Sequence, residues 1–134
     1  MSDDLREIFG DNIFAYTRAM AIADGVLVDI STMAKETGFK YPVAVTEDLY
    51  NGYLEPDEDS KRLGQSSSGR IWDMLVHFQI VARLKSSGNT VRFSFLIQNK
   101  KGSKEVKVKA VIGPGDTADP VLTIMLPERY YRFT

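Results

Sequence analysis

The stretch TVRFSFLIQNKKGSKEVKVKAVI, residues 90–112, constrains the fold more than any other part of the chain. In its first limb Val91, Phe93, Phe95 and Ile97 recur at every second position, and in its second limb Val106, Val108, Ala110 and Ile112 do the same. Successive side chains of a strand point to opposite faces, so this pattern is a β-hairpin with one apolar face. That face must be covered. RIWDMLVHFQIVARLKSSG, just upstream, supplies the cover: at 100° per residue Ile71, Met74, Leu75, Phe78, Val81 and Ala82 fall within an arc of about 120°. Ser68 is the expected N-cap of that helix and Gly88 its stop. PVLTIML, residues 120–126, lacks clean alternation, which marks a central strand covered on both faces. GPGDTAD connects it to the hairpin, with Pro114 and Gly115 at the second and third positions of a type II turn.

The N-terminal half reads as short elements. Thr17 caps a helix through RAMAIAD that Asp24-Gly25 ends, and VLVDI is a strand. Ser31 or Thr32 opens a second helix, stopped by Gly38. Tyr41-Pro42-Val43-Ala44-Val45 is extended, and Thr46 caps a third helix, EDLYNGYL. EPDEDSKRLGQSSSG, residues 55–69, has no apolar periodicity and reads as a mobile surface loop. The expected architecture is therefore α+β: a three- to four-stranded, mainly antiparallel sheet with the long helix packed on it and short N-terminal helices. The 134 residues form one domain, with an acidic half at 1–54, the loop at 55–69, and the long helix plus β-meander at 70–134.

Composition narrows the chemistry. Apolar residues are 43% and charged residues 26%, enough to build a core. There is no cysteine, so disulfides, thiolate metal sites and cysteine nucleophiles are excluded. The N-terminus MSDDLREIFG has acidic residues where a signal peptide needs basic ones, and no apolar run is long enough to span a membrane, so the expectation is a cytoplasmic protein. The net charge of −1 conceals an asymmetry. Residues 1–60 carry 13 acidic and 4 basic side chains, a net of −9; residues 61–134 carry 5 acidic and 13 basic, a net of +8. Such a chain either pairs its own halves or offers a basic face to a polyanion.

The basic residues concentrate on the hairpin. Arg92, Lys107 and Lys109 alternate outward from the apolar face, and Lys100, Lys101 and Lys104 crowd the turn. Arg129, Tyr130, Tyr131 and Arg132 extend the set with rings able to stack on bases. Edge protection by lysine is the competing explanation. A weaker candidate is Asp73 with His77, four apart on the long helix and about 40° from each other, an acid/base dyad or a pair of metal ligands. Two ligands do not make a zinc site, and the alternative is a solvated strip held by Arg70–Asp73 and Asp73–His77 pairs. His77 is the only histidine and no GxSxG elbow accompanies it. Gly113-Pro114-Gly115-Asp116 lacks the Lys-Ser/Thr and helix start of a phosphate loop. Asp116 with Asp119, and Asp24 with Asp29 beside Tyr16 and Arg18, are more ordinary as caps and turns than as cation or substrate sites.

Taken together, YTRAMAIADGVLVDIS, GFKYPVAVT, GRIWDMLVHFQIVARLKSSG and GPGDTADPVLTIMLPE resemble a family of uncharacterised bacterial proteins carried on plasmids and other mobile elements. The resemblance runs from about Ile13 to Glu128 and implies a genomic setting rather than a reaction. The expectation is a small accessory protein that acts as a non-catalytic interaction module, with nucleic acid or a host or element protein as partner. No cofactor, metal or membrane is expected, and a homodimer through a sheet edge is compatible. A small hydrolase or transferase using Asp73 and His77 is the alternative.

Overall fold

A computed structural model describes residues 16–84 and 88–128. Ten elements follow in order: α1 (Arg18–Ala23), β1 (Leu27–Asp29), α2 (Ser31–Glu36), β2 (Val43–Thr46), α3 (Glu47–Leu49), α4 (Glu58–Arg62), α5 (Ser67–Leu84), β3 (Thr90–Asn99), β4 (Gly102–Pro114) and β5 (Pro120–Met125). A π-helical turn, Tyr50–Leu54, continues α3.

The strands form one five-stranded mixed sheet in the order β1-β2-β5-β4-β3. The expected three to four strands were too few, because β1 and β2 join the same sheet. The β2–β5 pair is parallel, with Val43 opposite Leu122 and Val45 opposite Ile124, while the other pairs are antiparallel. β5 is central, and its last four residues, Leu122 to Met125, are all buried.

One face of the sheet carries the main core. Ile71, Met74, Leu75 and Phe78 of α5 pack with the alternating residues of β3 and β4, with Leu122 and Ile124, and with Val43 and Val45. Phe78 meets Phe93 edge-on, with ring centroids 5.7 Å apart. Burying each such side chain contributes about 1.5–3 kcal/mol. Among the described residues the other face is covered at the β1–β2–β5 end, where α1 lays Ala21 against Leu27 and Ala44.

Local chemistry explains the element ends, in places differently from expectation. The N-cap of α5 is Ser66 rather than Ser68, since the Gly69 N–H donates to Ser66 Oγ at 3.0 Å. The segment 55–69 is not all loop: Asp57 caps α4, accepting from the Ser60 N–H at 2.7 Å. The hydroxyl of Thr46 donates to Asp48 Oδ1 rather than capping α3, and α2 is capped by Asp29, which accepts the Ser31 N–H at 2.9 Å. The type II turn is also absent. β4 runs through Pro114, and Gly115 does not have a positive φ. Glycine is needed there for space, because a Cβ at Gly115 would lie 2.8 Å from Val121 Cγ1.

Candidate functional site

The bare flank of the sheet is the outer face of the β3–β4 hairpin. Parity along the strands sends Val91, Phe93, Val106 and Val108 to the core and Arg92, Ser94, Lys107 and Lys109 outward. The register then sets Arg92 directly opposite Lys109 and Ser94 opposite Lys107. Arg92 and Lys107 are exposed and Lys109 is half-buried. Among the described residues none of these three cations makes a salt bridge. The pairs that form, Lys61 with Glu55 and Glu58 and Arg62 with Asp59, all lie within residues 55–62. Among the described residues the acidic half therefore does not neutralise these three cations through such pairs.

The structure separates the other predicted cations. Lys100 and Lys101 form the exposed turn, where the Lys101 N–H donates to Asn99 Oδ1 at 2.8 Å. Lys104 does not join the outer face. It pairs with Ile97, a core-side position, and its ammonium stands 5.1 Å from the centroid of the Tyr53 ring. Arg129, Tyr130, Tyr131 and Arg132 lie outside the described residues.

Asp73 and His77 share the exposed side of α5, but their side chains do not form a dyad. His77 Nδ1 lies 2.7 Å from the backbone carbonyl oxygen of Asp73. Neither residue lines the cavities beside α5, and among the described residues no group of three His, Cys, Asp or Glu is placed to hold a metal ion.

Arg70 is the residue that sequence reasoning misplaced. Instead of lying on a solvated strip with Asp73 it is 5% exposed. Its Nη1 donates to the Tyr53 carbonyl at 2.9 Å, its Nη2 to the Gln98 carbonyl at 2.8 Å, and its Nε to Gln65 Oε1 at 3.3 Å. Burial lowers its pKa, with Asp57 and Glu55 opposing the shift. Three segments meet at this one guanidinium: the π-helical turn, the end of β3, and the approach to α5. A cavity of about 350 Å³ beside it is lined by Tyr53, Glu55, Asp57 and Lys104, among others.

Asp116 and Asp24 act as hydrogen-bond acceptors within the fold. Asp116 accepts the N–H groups of Arg18 at 2.7 Å and Ala19 at 3.0 Å, and Thr17 Oγ1 accepts that of Met20 at 3.1 Å, so the first turn of α1 is capped from two directions. The Arg18 guanidinium crosses to β5, donating to Thr123 Oγ1 at 2.6 Å and to the Leu122 carbonyl at 2.9 Å. The Tyr16 hydroxyl donates to Asp24, and that bond raises the pKa of the phenol.

These features define a small α+β protein built on a mixed five-stranded sheet, with the long helix on one face and, among the described residues, exposed cations of the β3–β4 hairpin on the other. No helix among the described residues is long and apolar enough to cross a membrane. The chain belongs to the family of unknown function DUF6573, whose model matches residues 7–130. No curated protein and no solved structure matches it.

Proposed function

We propose that the protein is a non-catalytic binding module whose outer β3–β4 face takes a polyanion, with nucleic acid as the class of partner. The observation that carries this reading is the placement of Arg92 directly across from Lys109, with Lys107 two residues along and, among the described residues, no carboxylate bridged to any of them. Like charges directly opposite each other in an antiparallel pair are destabilising, and a bound polyanion would offset that cost. Edge protection accounts for less. β3 is an edge strand, but β4 lies between β3 and β5 and has no free edge to protect. Resemblance to proteins of plasmids and mobile elements is in keeping with an accessory role of this kind.

The enzyme reading finds no support in the geometry, since the imidazole of His77 is exposed and engaged by a main-chain carbonyl. The polyanion reading is tested by fluorescence anisotropy with short single- and double-stranded DNA and RNA at two salt concentrations. Phosphate contacts predict binding that weakens steeply with salt. The double reversal Lys107→Glu/Lys109→Glu should abolish it while leaving the circular dichroism spectrum unchanged. Absence of binding at low salt, or binding untouched by the reversal, would remove this face from consideration.

A further inference from the structure

Beside the far end of α5 lies a cavity of about 490 Å³, bounded by the loop from α2 to β2, by α5 and by strands β4 and β5. Its volume falls in the range of about 300–1,000 Å³ that small-molecule sites occupy. The walls are apolar. Phe39 and Phe78 stack with centroids 5.6 Å apart and an interplanar angle of 26°, and Ala82, Ile112 and Leu122 add aliphatic surface to the lining. The α2–β2 loop is held in place across the opening by the Gln79 side-chain amide, which donates to the Thr37 carbonyl at 2.7 Å. Gly38, at φ 102°, allows the sharp exit from α2 that turns Phe39 inward.

The charged residues around this cavity all have one sign. Lys40 and Arg83 line it, both exposed, and among the described residues no carboxylate does; Asp116 and Asp119 line the neighbouring cavity, which Lys40 also lines. Among the described residues neither cation makes a salt bridge. An apolar ligand carrying a positive charge would be repelled there, and a polyanion is too large to enter. An aromatic face backed by aliphatic residues and bordered by two unpaired cations complements a small molecule that is apolar at one end and anionic at the other.

We propose that this cavity binds a small apolar acid, an aromatic or medium-chain carboxylate, with its apolar part against Phe39 and Phe78 and its carboxylate at Lys40 and Arg83. The site is separate from the β3–β4 face and does not rest on the polyanion reading. The test is saturation-transfer NMR followed by calorimetry of the full chain with four probes: phenylacetate, octanoate, phenylacetamide and phenethylamine. The two acids should bind, the neutral amide more weakly, and the amine not at all. Lys40→Glu/Arg83→Glu, two exposed changes, should weaken phenylacetate by at least about tenfold. Ala82→Phe, which fills the cavity, should abolish binding of both acids while nucleic-acid anisotropy stays unchanged. Equal binding of acid and amine, an affinity unmoved by the charge reversal, or no binding of either acid at millimolar concentration would overturn the proposal. If Ala82→Phe fails to fold, the charge-reversed variant and the four-probe comparison decide alone.

Discussion

Replacing Arg70 by methionine isolates what a buried guanidinium contributes when no carboxylate pairs with it. Methionine keeps a long flexible stem but removes every donor. The carbonyls of Tyr53 and Gln98, now bonded at 2.9 and 2.8 Å, lose those donors, and Gln65 loses its contact. Leaving a fully buried acceptor unsatisfied costs about 1–3 kcal/mol, and because both bonds are only part-buried the two carbonyls together predict the lower part of about 2–6 kcal/mol. An opposing effect comes from the charge itself. Arg70 is 5% exposed and makes no salt bridge among the described residues, and deleting a desolvated cation returns part of that cost. The expected net loss is about 2–4 kcal/mol. For a chain of this size that lowers Tm by roughly 6–20 °C, measurable by calorimetry and by urea titration followed with circular dichroism. Arg70→Lys should be nearly as damaging, because an ammonium cannot serve three divergent acceptors from one plane. If Arg70→Met is as stable as the parent, burial of the charge outweighs its bonds, and Arg70 is not the staple of the π-helical turn.

Three further outcomes follow from the same reasoning. Gly115→Ala places a Cβ 2.8 Å from Val121 Cγ1, an overpacking cost of about 1–3 kcal/mol, against roughly 0.4–1 kcal/mol regained by stiffening the unfolded chain; a denaturant midpoint no lower than the parent's would show that the contact is not tight. Asp116→Ala strips acceptors from the Arg18 and Ala19 N–H groups and should cost about 0.5–2 kcal/mol, with faster amide hydrogen exchange confined to α1 as its signature. The Asp57 carboxyl is held below its ordinary pKa, chiefly by the backbone N–H of Ser60. Its contribution is therefore complete above the unfolded pKa of about 4 and fades as pH falls through the lower folded value, so Asp57→Asn should flatten the acid limb of the stability profile; an unchanged limb would sink the assignment.

Much of the β-meander was legible because its signals are local. Alternation in residues 90–112 and the apolar arc of α5 each arise within one element, and the structure places Ile71, Met74, Leu75 and Phe78 on the sheet as that arc requires. The sheet was undercounted because β2 and β5 pair in parallel across nearly 80 residues, and a parallel pair leaves no turn or register mark in either strand. The site shows the same limit. Helical periodicity puts Arg70 within about 20° of His77, yet Arg70 is buried and His77 exposed, since the elements that cover Arg70 come from elsewhere in the chain. Parity identified Arg92, Lys107 and Lys109 as outward residues, whereas Lys104, grouped with them by proximity to the turn, has the parity of the core face.

How the two halves of opposite charge are joined bears directly on what the basic face is free to do. Among the described residues the contacts that join them include the main-chain ladder between β2 and β5, the Asp116 cap on α1, the Arg18 bonds to β5, the Arg70 bond to the Tyr53 carbonyl and the Lys104 ammonium over the Tyr53 ring. These contacts use hydrogen bonds, apolar burial and one cation–π contact, and Arg18, Asp116, Arg70 and Lys104 contribute their charged groups to them. The outward cations Arg92, Lys107 and Lys109 are absent from these contacts, and the core-facing valines and phenylalanines of the hairpin lie on its opposite face. A charge asymmetry that folding does not consume can be reversed at little structural cost. For that reason Lys107→Glu/Lys109→Glu can separate binding from stability: a folded variant that no longer binds places the function on the open flank, and an unfolded one shows that the cations were part of the fold after all.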